Sequence, residues 1–421
     1  MTLPSYLSFL ERVLPSLDRL PFMLRLWDGT SWKSAPGEMT QLTLIVNNPE
    51  GLRTLCLASN ELALGEAFIF GDFDIEGDIV AAFKLADALS AKKWGILDKI
   101  SYGRHFFPLL GRWARGRGAK GARLTGLSHS RKRDGAAIRF HYDVSNDFYR
   151  LWLDERMVYS CGYFHDAGDD LDSAQLNKLD YICRKLRLKP GDRLLDIGCG
   201  WGGLILHAAK NYRVDAVGIT LSEPQAELAR ERIEKAGLGD CCSVKVCDYR
   251  DMNDTAGFDK VVSVGMFEHV GQRRLSEYFR RAWDLLHPGG AFLNHGIASS
   301  LGHPQPKGPS FIDRYVFPDG ELLPVSDALC AAETTGFEVR DLESLREHYA
   351  LTLRHWVHRL ETAREAACRF TDEVTYRIWR IYMAGSAHGF ETGRLNLYQA
   401  LLVKPAAGNA CVPMTRNDWY C

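Results

Sequence analysis

Apolar residues recur along the chain in two distinct rhythms. Thr40–Val46 is a run of β-branched and aliphatic residues closed by Asn47-Asn48-Pro49, the pattern of a strand followed by a turn. Leu52–Leu64 predicts helix or strand pieces, Gly65–Asp78 is rich in Gly, Asp and aromatics, and Ile79–Leu89 has helical spacing. From about residue 138 the rhythm becomes an alternation. Strands are predicted at Arg193–Ile197, Val214–Leu221, Ser243–Asp248, Phe258–Val264 and Ala291–Ile297. Helices are predicted between them at Gly202–Tyr212, from Ser222 to near Gly237, and from about Arg274 to Leu286, before a Pro288-Gly-Gly turn. Ser222 is the expected N-cap of the second helix, with Pro224 in its first turn and Gln225 completing a capping box. Strand and helix in alternation require a mostly parallel sheet covered on both faces, an α/β fold.

These rhythms divide the chain into four parts: a small N-terminal α+β domain over 1–110, a basic Gly-rich linker over 111–137, the α/β region over 138–403, and a loosely ordered tail over 404–421. At 421 residues the chain can bury more than one core. Hydrophobic residues make up 46% and charged residues 25%, as in an ordinary globular protein, and the net charge of -1 selects no nucleic acid. Charge is unevenly placed, however. Arg112 to Arg133 holds eight Lys or Arg and no acid, which suits either a solvated linker or a patch for anionic lipid headgroups. There is no apolar run of membrane-spanning length, and Met1–Leu10 lacks the pattern of a secretory signal. Eleven cysteines without repeated spacing point to reduced thiols in a cytoplasmic protein, with neither a disulfide frame nor a metal site.

The most specific local motif is Leu195-Asp196-Ile197-Gly198-Cys199-Gly200-Trp201-Gly202-Gly203, which joins a strand to a helix. Its glycines permit a sharp turn and close approach of a ligand, and the helix start adds N–H donors. Gly198, Gly200 and Gly203 also fit the dinucleotide fingerprint. A dinucleotide site wants an acid at the end of the next strand, and Gly218-Ile219-Thr220-Leu221-Ser222 has none. Asp196-x-Gly-x-Gly, with the later Phe267-Glu268-His269, favours a methyltransferase.

Several segments then fall in one order: His141-Tyr142-Asp143-Val144-Ser145-Asn146-Asp147-Phe148, Tyr159-Ser160-Cys161-Gly162-Tyr163-Phe164, the glycine loop, Gly218–Ser222, Val264–Gly271, His295-Gly296-Ile297, Tyr315-Val316-Phe317-Pro318 and Glu347-His348-Tyr349. This order resembles the cyclopropane fatty acid synthases and the mycolic acid cyclopropane synthases over about 138–403. The resemblance implies a class I S-adenosylmethionine methyltransferase fold, Rossmann-like, behind a smaller N-terminal domain associated with lipid. It implies that Tyr159 and Ser160 close over the methionine part of S-adenosylmethionine. Asp196, Gly198, Gly200 and Gly202 face the same moiety, Thr220 and Gln225 lie beside the ribose and adenosine, and Tyr249 lies near the adenine. A bicarbonate base would sit at Cys161, Glu268, His295, Ile297 and Tyr349, with Cys161 and Ile297 acting through the backbone. Glu268 would accept a hydrogen bond from that bicarbonate and orient it. Ser386 stands where many members carry a cysteine, and Gly296 where threonine is frequent; both departures keep a branched product open.

The activity expected from this resemblance is transfer of a carbon from S-adenosylmethionine to the double bond of an unsaturated acyl chain of a membrane phospholipid, closing a cyclopropane. A methylene- or methyl-branched chain is the alternative, then a small-molecule methyltransferase, and a non-catalytic lipid-surface protein is a different class. Such an enzyme would be cytoplasmic and peripheral on the inner face of the membrane, with a homodimer left open by the sequence. An alkene is a weak nucleophile whose methylation leaves a carbocation, so the pocket must be dry. Tyr163, Phe164, Phe267, Tyr315, Phe317 and Tyr349 are candidate aromatic faces for it, although most aromatics are simply core.

Overall fold

A computed structural model of the chain describes residues 21–35, 38–57, 60–91, 120–122, 124–127, 129–142, 144–302 and 310–420. The chain begins with β1 (Phe22–Arg25), β2 (Ser31–Lys33), β3 (Leu42–Val46), α1 (Pro49–Leu57), α2 (Glu61–Ile69), β4 (Phe73–Gly77) and α3 (Ile79–Ala91). It continues with α4 (Arg131–Tyr142), α5 (Asn146–Arg150), α6 (Leu171–Leu186), β5 (Arg193–Ile197), α7 (Gly203–Tyr212), β6 (Asp215–Thr220), α8 (Glu223–Lys235), β7 (Cys242–Val246) and β8 (Phe258–Val264). After these come α9 (Leu275–Leu285), β9 (Leu286–Ser299), α10 (Phe311–Tyr315), α11 (Val325–Thr335), β10 (Glu338–Ser344), α12 (Arg346–Thr362), α13 (Arg364–Phe370), α14 (Glu373–Glu391) and β11 (Leu395–Val403).

Two compact units emerge. The first comprises Met1–Gly121, Gly308–Val316 and Asp372–His388. Its sheet has the order β2-β1-β3-β4, with β1 and β3 parallel and the other pairs antiparallel. Unlike the contiguous 1–110 domain drawn from the sequence, this unit takes in α10 and most of α14. The reason is visible in Arg377, which is buried on α14. It donates to the carbonyls of Phe68 and Phe73, each at 2.8 Å, and pairs with Asp74 at 2.8 Å. Arg380, one turn later, donates to the Ile75 carbonyl. These buried charge-assisted bonds satisfy carbonyls along β4 and give the Phe68 carbonyl, which already accepts from the Gly71 N–H, a second donor.

The second unit, Ala122–Lys307, Phe317–Thr371 and Gly389–Cys421, is built on a seven-stranded sheet of order β10-β11-β9-β8-β5-β6-β7. The strands from β7 to β9 are parallel, and β11 runs antiparallel to both of its neighbours, β9 and β10. Strand alternation sends neighbouring residues to opposite layers. Leu194, Val262, Leu293 and Leu401 pack with α6, α7 and α8 on one face. Leu195, Val261, Phe292 and Leu402 pack with α9 and α11 on the other. This is the expected α/β fold of a class I S-adenosylmethionine methyltransferase, mostly parallel and Rossmann-like, with the smaller α+β unit beside it in the sequence.

Three expectations need correction. The Pro288-Gly-Gly turn is a bulge within β9: Phe258 pairs with Leu286 and Lys260 with Ala291, with Gly289 at φ +83 taking up the extra residues. Of the basic linker, residues 111–119 lie outside the described residues, but its end is structured. Arg131 opens α4, and Arg133 makes a bidentate ion pair with Asp319. The tail is not loose either. Trp419 is 2% exposed and packs in the core beside α6, Arg187 pairs with Asp418 at 2.6 Å, and Arg416 with Asp341 at 2.8 Å. Local composition could not announce these contacts, because each partner lies far away in sequence.

Candidate active site

The carboxyl ends of β5, β6 and β8 open into a cleft of about 1100 Å³, counted out to solvent. Parallel sheets place ligands here because loops leave every strand at this edge. The loop after β5 turns tightly, with Gly198 at φ +87 and Gly200 at φ +53. A Cβ on Gly198 would stand 3.0 Å from the Met266 Cβ, so only glycine leaves this floor open. Tyr159, Ser160, Asp196, Gly198, Gly200, Thr220, Gln225 and Tyr249 all line the cleft. Of the expected cofactor set, Gly202 alone does not line it; at φ +80 it is the N-cap of α7, and the lining position is Gly203.

The polar walls are buried. Asp196 is 3% exposed, and its Oδ1 has no hydrogen-bond partner among the described residues. Burial pushes its pKa up to about 7, against the pull of Lys178. Thr220 Oγ1 donates to Gln225 Oε1 at 2.9 Å and accepts from the Ser222 N–H at 3.2 Å. Ser222 Oγ accepts from the Gln225 N–H at 3.4 Å, so the capping box closes through the threonine. Tyr159 sits among Trp152, Trp356 and Tyr149 with ring centroids 5.1 to 5.7 Å away.

Several lining residues escaped the sequence reading. Asp134, Ile138 and Tyr142 reach the cleft from α4, whose first half had been assigned to the linker. Asp248 and Arg250 line it beside Tyr249 and hold each other at 2.6 Å, while Arg250 also pairs with Asp134. Lys178, on α6, is fully buried and donates to Ser160 Oγ at 2.9 Å. Burial lowers its pKa to about 8, opposed by Asp154, Cys161 and Asp196. The clue in sequence was Lys178 standing at an apolar-face position of an amphipathic helix.

A second group lies where β9 and β11 meet α12. Glu268 follows β8 in a 3-10 turn, Phe267–His269, and its Oε1 accepts from the Ile297 N–H at 2.7 Å. Its Oε2 is buried with no hydrogen-bond partner among the described residues, and burial raises its pKa to about 7. His295 lies within β9 but opposite Val264, the last residue of β8, and so at the carboxyl edge of its neighbour. Its Nδ1 is 3.0 Å from Gln399 Nε2, and its Nε2 is buried with no partner among the described residues. Ile297 pairs across the sheet with Leu397, whose carbonyl accepts from the Leu345 N–H. The Leu345 carbonyl accepts in turn from the Tyr349 N–H and lies 3.8 Å from Cys161 Sγ. Glu268, Ile297, Tyr349 and Cys161 are thus joined by one short chain of contacts, and Lys178 acts electrostatically on both Cys161 and His295. Ser386 lies on the part of α14 that belongs to the first unit. Tyr315 is likewise in that unit, where its hydroxyl donates to Glu66 at 2.9 Å. Phe317 stacks on His141, with ring centroids 3.7 Å apart.

Comparison with known proteins agrees with this architecture. Residues 129–400 match the family model described as mycolic acid cyclopropane synthetase, and residues 9–92 match a domain family of unknown function. The chain is 44% identical over 418 residues to the probable fatty acid methyltransferase of Pseudomonas putida, covering 98% of this chain and all of that one. It is 40% identical over 281 residues to the cyclopropane-fatty-acyl-phospholipid synthase of Escherichia coli K12, covering 67% and 71%. The crystal structure of mycolic acid cyclopropane synthase CmaA1 complexed with SAH and CTAB superposes with a TM-score of 0.60 at 33% identity, covering 64% of this chain and 97% of that one. The chain therefore belongs to the mycolic acid cyclopropane synthetase family, and is an S-adenosylmethionine-dependent methyltransferase of the fatty acid and lipid group.

Proposed function

We propose that this enzyme adds the methyl carbon of S-adenosylmethionine to the double bond of an unsaturated acyl chain in a membrane phospholipid and closes it to a cyclopropane. The observation that carries the reading is the pair of buried atoms Glu268 Oε2 and His295 Nε2, which have no partner among the described residues. A buried polar atom without a partner costs about 1–3 kcal/mol. Glu268 is hydrogen-bonded to Ile297, two residues from His295 on the same strand, so the two orphaned atoms support a small polar guest. A bicarbonate fits that donor set and, when bound, supplies the base for the final proton. His295 and Tyr349 would hold it, and Glu268 Oε2 would accept its O–H and orient it, while the backbone of Cys161 and Ile297 frames the site. Because Glu268 Oε1 already engages the Ile297 N–H, that N–H reaches the anion only by leaving Glu268.

S-adenosylmethionine supplies the electrophilic methyl group in this scheme. Asp196 and the glycine loop would hold its methionine end together with Tyr159 and Ser160, Thr220 and Gln225 its ribose side, and Tyr249 its adenine. Attack by the alkene on the sulfonium methyl would form the new carbon–carbon bond as the sulfur–methyl bond breaks and S-adenosylhomocysteine leaves, placing a cation on the neighbouring carbon. Loss of a proton from the added methyl to the bound base would close the ring. A hydride shift before that proton leaves gives a methylene branch instead. The branched product is the second reading, favoured by the name of the Pseudomonas putida relative, which covers nearly the whole chain.

The acyl chain lies in a bilayer, so in this reading the enzyme works peripherally at a membrane surface, with the inner, cytoplasmic face as the proposed one. Among the described residues, no helix is long and apolar enough to cross a membrane. The decisive experiment incubates the protein with methyl-labelled S-adenosylmethionine and vesicles of monounsaturated phospholipid. Mass spectrometry should show one added CH2 per modified chain, and proton NMR the upfield ring protons. Vinylic methylene protons would replace the ring reading with the branched one, and no labelled lipid from any unsaturated phospholipid would reject both.

A further inference from the structure

We infer that Gln399, itself held by Lys185, fixes His295 with its single ring proton on Nε2 and so makes this histidine a hydrogen-bond donor to the anion site. Gln399 on β11 is directly opposite His295 on β9, and Lys185 reaches the pair from α6. All three are at most 1% exposed. Lys185 Nζ can only donate, and it meets Gln399 Oε1 at 2.9 Å. That contact settles which end of the amide faces which way, so the Gln399 NH2 points at His295 Nδ1, 3.0 Å away. An amide nitrogen has no acceptor capacity, and Nδ1 must therefore accept. Lys185 is anchored in turn by Glu343, to which it donates, and by Asp341 at 3.6 Å. Tyr181 adds a hydrogen bond to Glu343 at 3.0 Å.

Burial holds the His295 imidazole well below its ordinary pKa, and the charges of Lys178 and Lys185 act in the same direction. The ring is neutral and carries one proton. With Nδ1 accepting, that proton is on Nε2, the atom left without a partner among the described residues. His295 thus binds an anion as a donor and does not take up the substrate proton itself. Gln399 and Lys185 are positioning residues, as outer partners of a functional histidine commonly are. Their role in turnover rests on the proposed function, whereas the tautomer does not.

The test is nitrogen-15 NMR of the full chain labelled at histidine, with the His295 ring assigned by its loss in His295→Asn. The expected wild-type signal is the neutral ring protonated at Nε2; a proton on Nδ1, or an imidazolium at neutral pH, overturns the inference. Gln399→Glu places a carboxylate where the NH2 was and should move the proton to Nδ1. Turnover should then fall about 10- to 100-fold, with the KM for S-adenosylmethionine within about twofold of wild type. A moved proton with unchanged turnover overturns the positioning role. Where Gln399→Glu does not fold, Gln399→Met serves: it removes the donor without adding charge, so the ring should sample both tautomers. Turnover should then fall by less, again with the KM for S-adenosylmethionine near wild type, and a ring that stays wholly protonated at Nε2 would overturn the role of Gln399. An Nε2 proton in an enzyme that alkylates no lipid would sink the proposed function and leave this inference standing.

Discussion

Glu268→Gln separates a buried functional carboxylate from a merely packed one. Burial raises the Glu268 pKa from 4.5 to about 7. The folded protein therefore binds this proton more tightly than the unfolded chain does. The sign follows from linkage: the contribution is fully present below about pH 4.5 and is lost as pH rises through about 7. At about 1.4 kcal/mol per pH unit, the whole interval is worth about 3 kcal/mol. About 2 kcal/mol of it falls between pH 5.5 and pH 8. Glutamine keeps the shape and the acceptor for the Ile297 N–H but has no proton to lose.

Denaturant unfolding of both proteins at those two pH values should show glutamine gaining about 2 kcal/mol on wild type from the lower to the higher pH. Asp196, whose pKa is also raised to about 7, titrates in both proteins and cancels in the comparison. A difference that stays constant to within about 0.5 kcal/mol would refute a dry Glu268 site, and with it the orphaned Oε2. The same variant presents an NH2 to the proposed anion site, because its oxygen is held by Ile297. That group could not accept the O–H of the proposed bicarbonate. Turnover should fall while S-adenosylmethionine affinity by calorimetry stays near wild type, and equal loss of both would move Glu268 into the cofactor site.

Three further outcomes are expected. Lys178→Met leaves Asp154 and Asp196 without their buried counter-charge and should cost about 3–5 kcal/mol by denaturant unfolding, with weaker S-adenosylmethionine binding by calorimetry; a neutral change would show that Lys178 pairs with neither. Trp419→Ala removes a 2%-exposed indole from the core and should cost about 3–5 kcal/mol, whereas a loose tail would cost nothing measurable. Ser222→Ala deletes the cap of α8 and should cost about 1 kcal/mol, read as a lower thermal midpoint.

What could be read in the sequence was what local chemistry decides. β5 and β8 were placed to the residue, and α7 and α8 nearly so, because caps, glycines and periodicity act over a few residues. α4 stayed hidden because Arg131-Lys132-Arg133-Asp134-Gly135 reads as a linker. Its charges become helical structure only through Asp319, Arg250 and Asp251, more than 100 residues away in each case. Lys178 was missed for the same reason, since Asp154 and Asp196 are brought to it by the fold. The link from Glu268 to Ile297 is a side-chain-to-backbone bond across 29 positions, and no pattern of residue types encodes it. The glycine loop, by contrast, is one contiguous motif, and it lines the cleft almost as written.

The alternation along β9 decides what the Gly296 departure means. His295 faces Gln399 and Lys185 on one side of the sheet. Asn294, Gly296 and Ala298 face the other side, where Asn294 accepts from the Tyr278 hydroxyl and a small apolar cavity includes Phe267. A Cβ on Gly296 would stand 3.0 Å from Phe267 Cδ1 and 3.1 Å from its Cβ. A side chain here therefore needs Phe267 to give by a few tenths of an ångström, and the exchange belongs to packing behind the site. It lies on the face of β9 opposite His295, away from the proposed anion site, so it does not by itself favour a branched product over a ring. Its influence passes through Phe267, the residue before Glu268. Gly296→Thr should cost about 1–3 kcal/mol by overpacking, and Phe267→Leu should recover part of that loss by vacating the space. If the double variant restores stability while the ring-to-branch ratio stays fixed, packing is the whole story. If Gly296→Thr leaves stability unchanged, Phe267 yields to the new side chain without cost and the packing argument for glycine at this position fails.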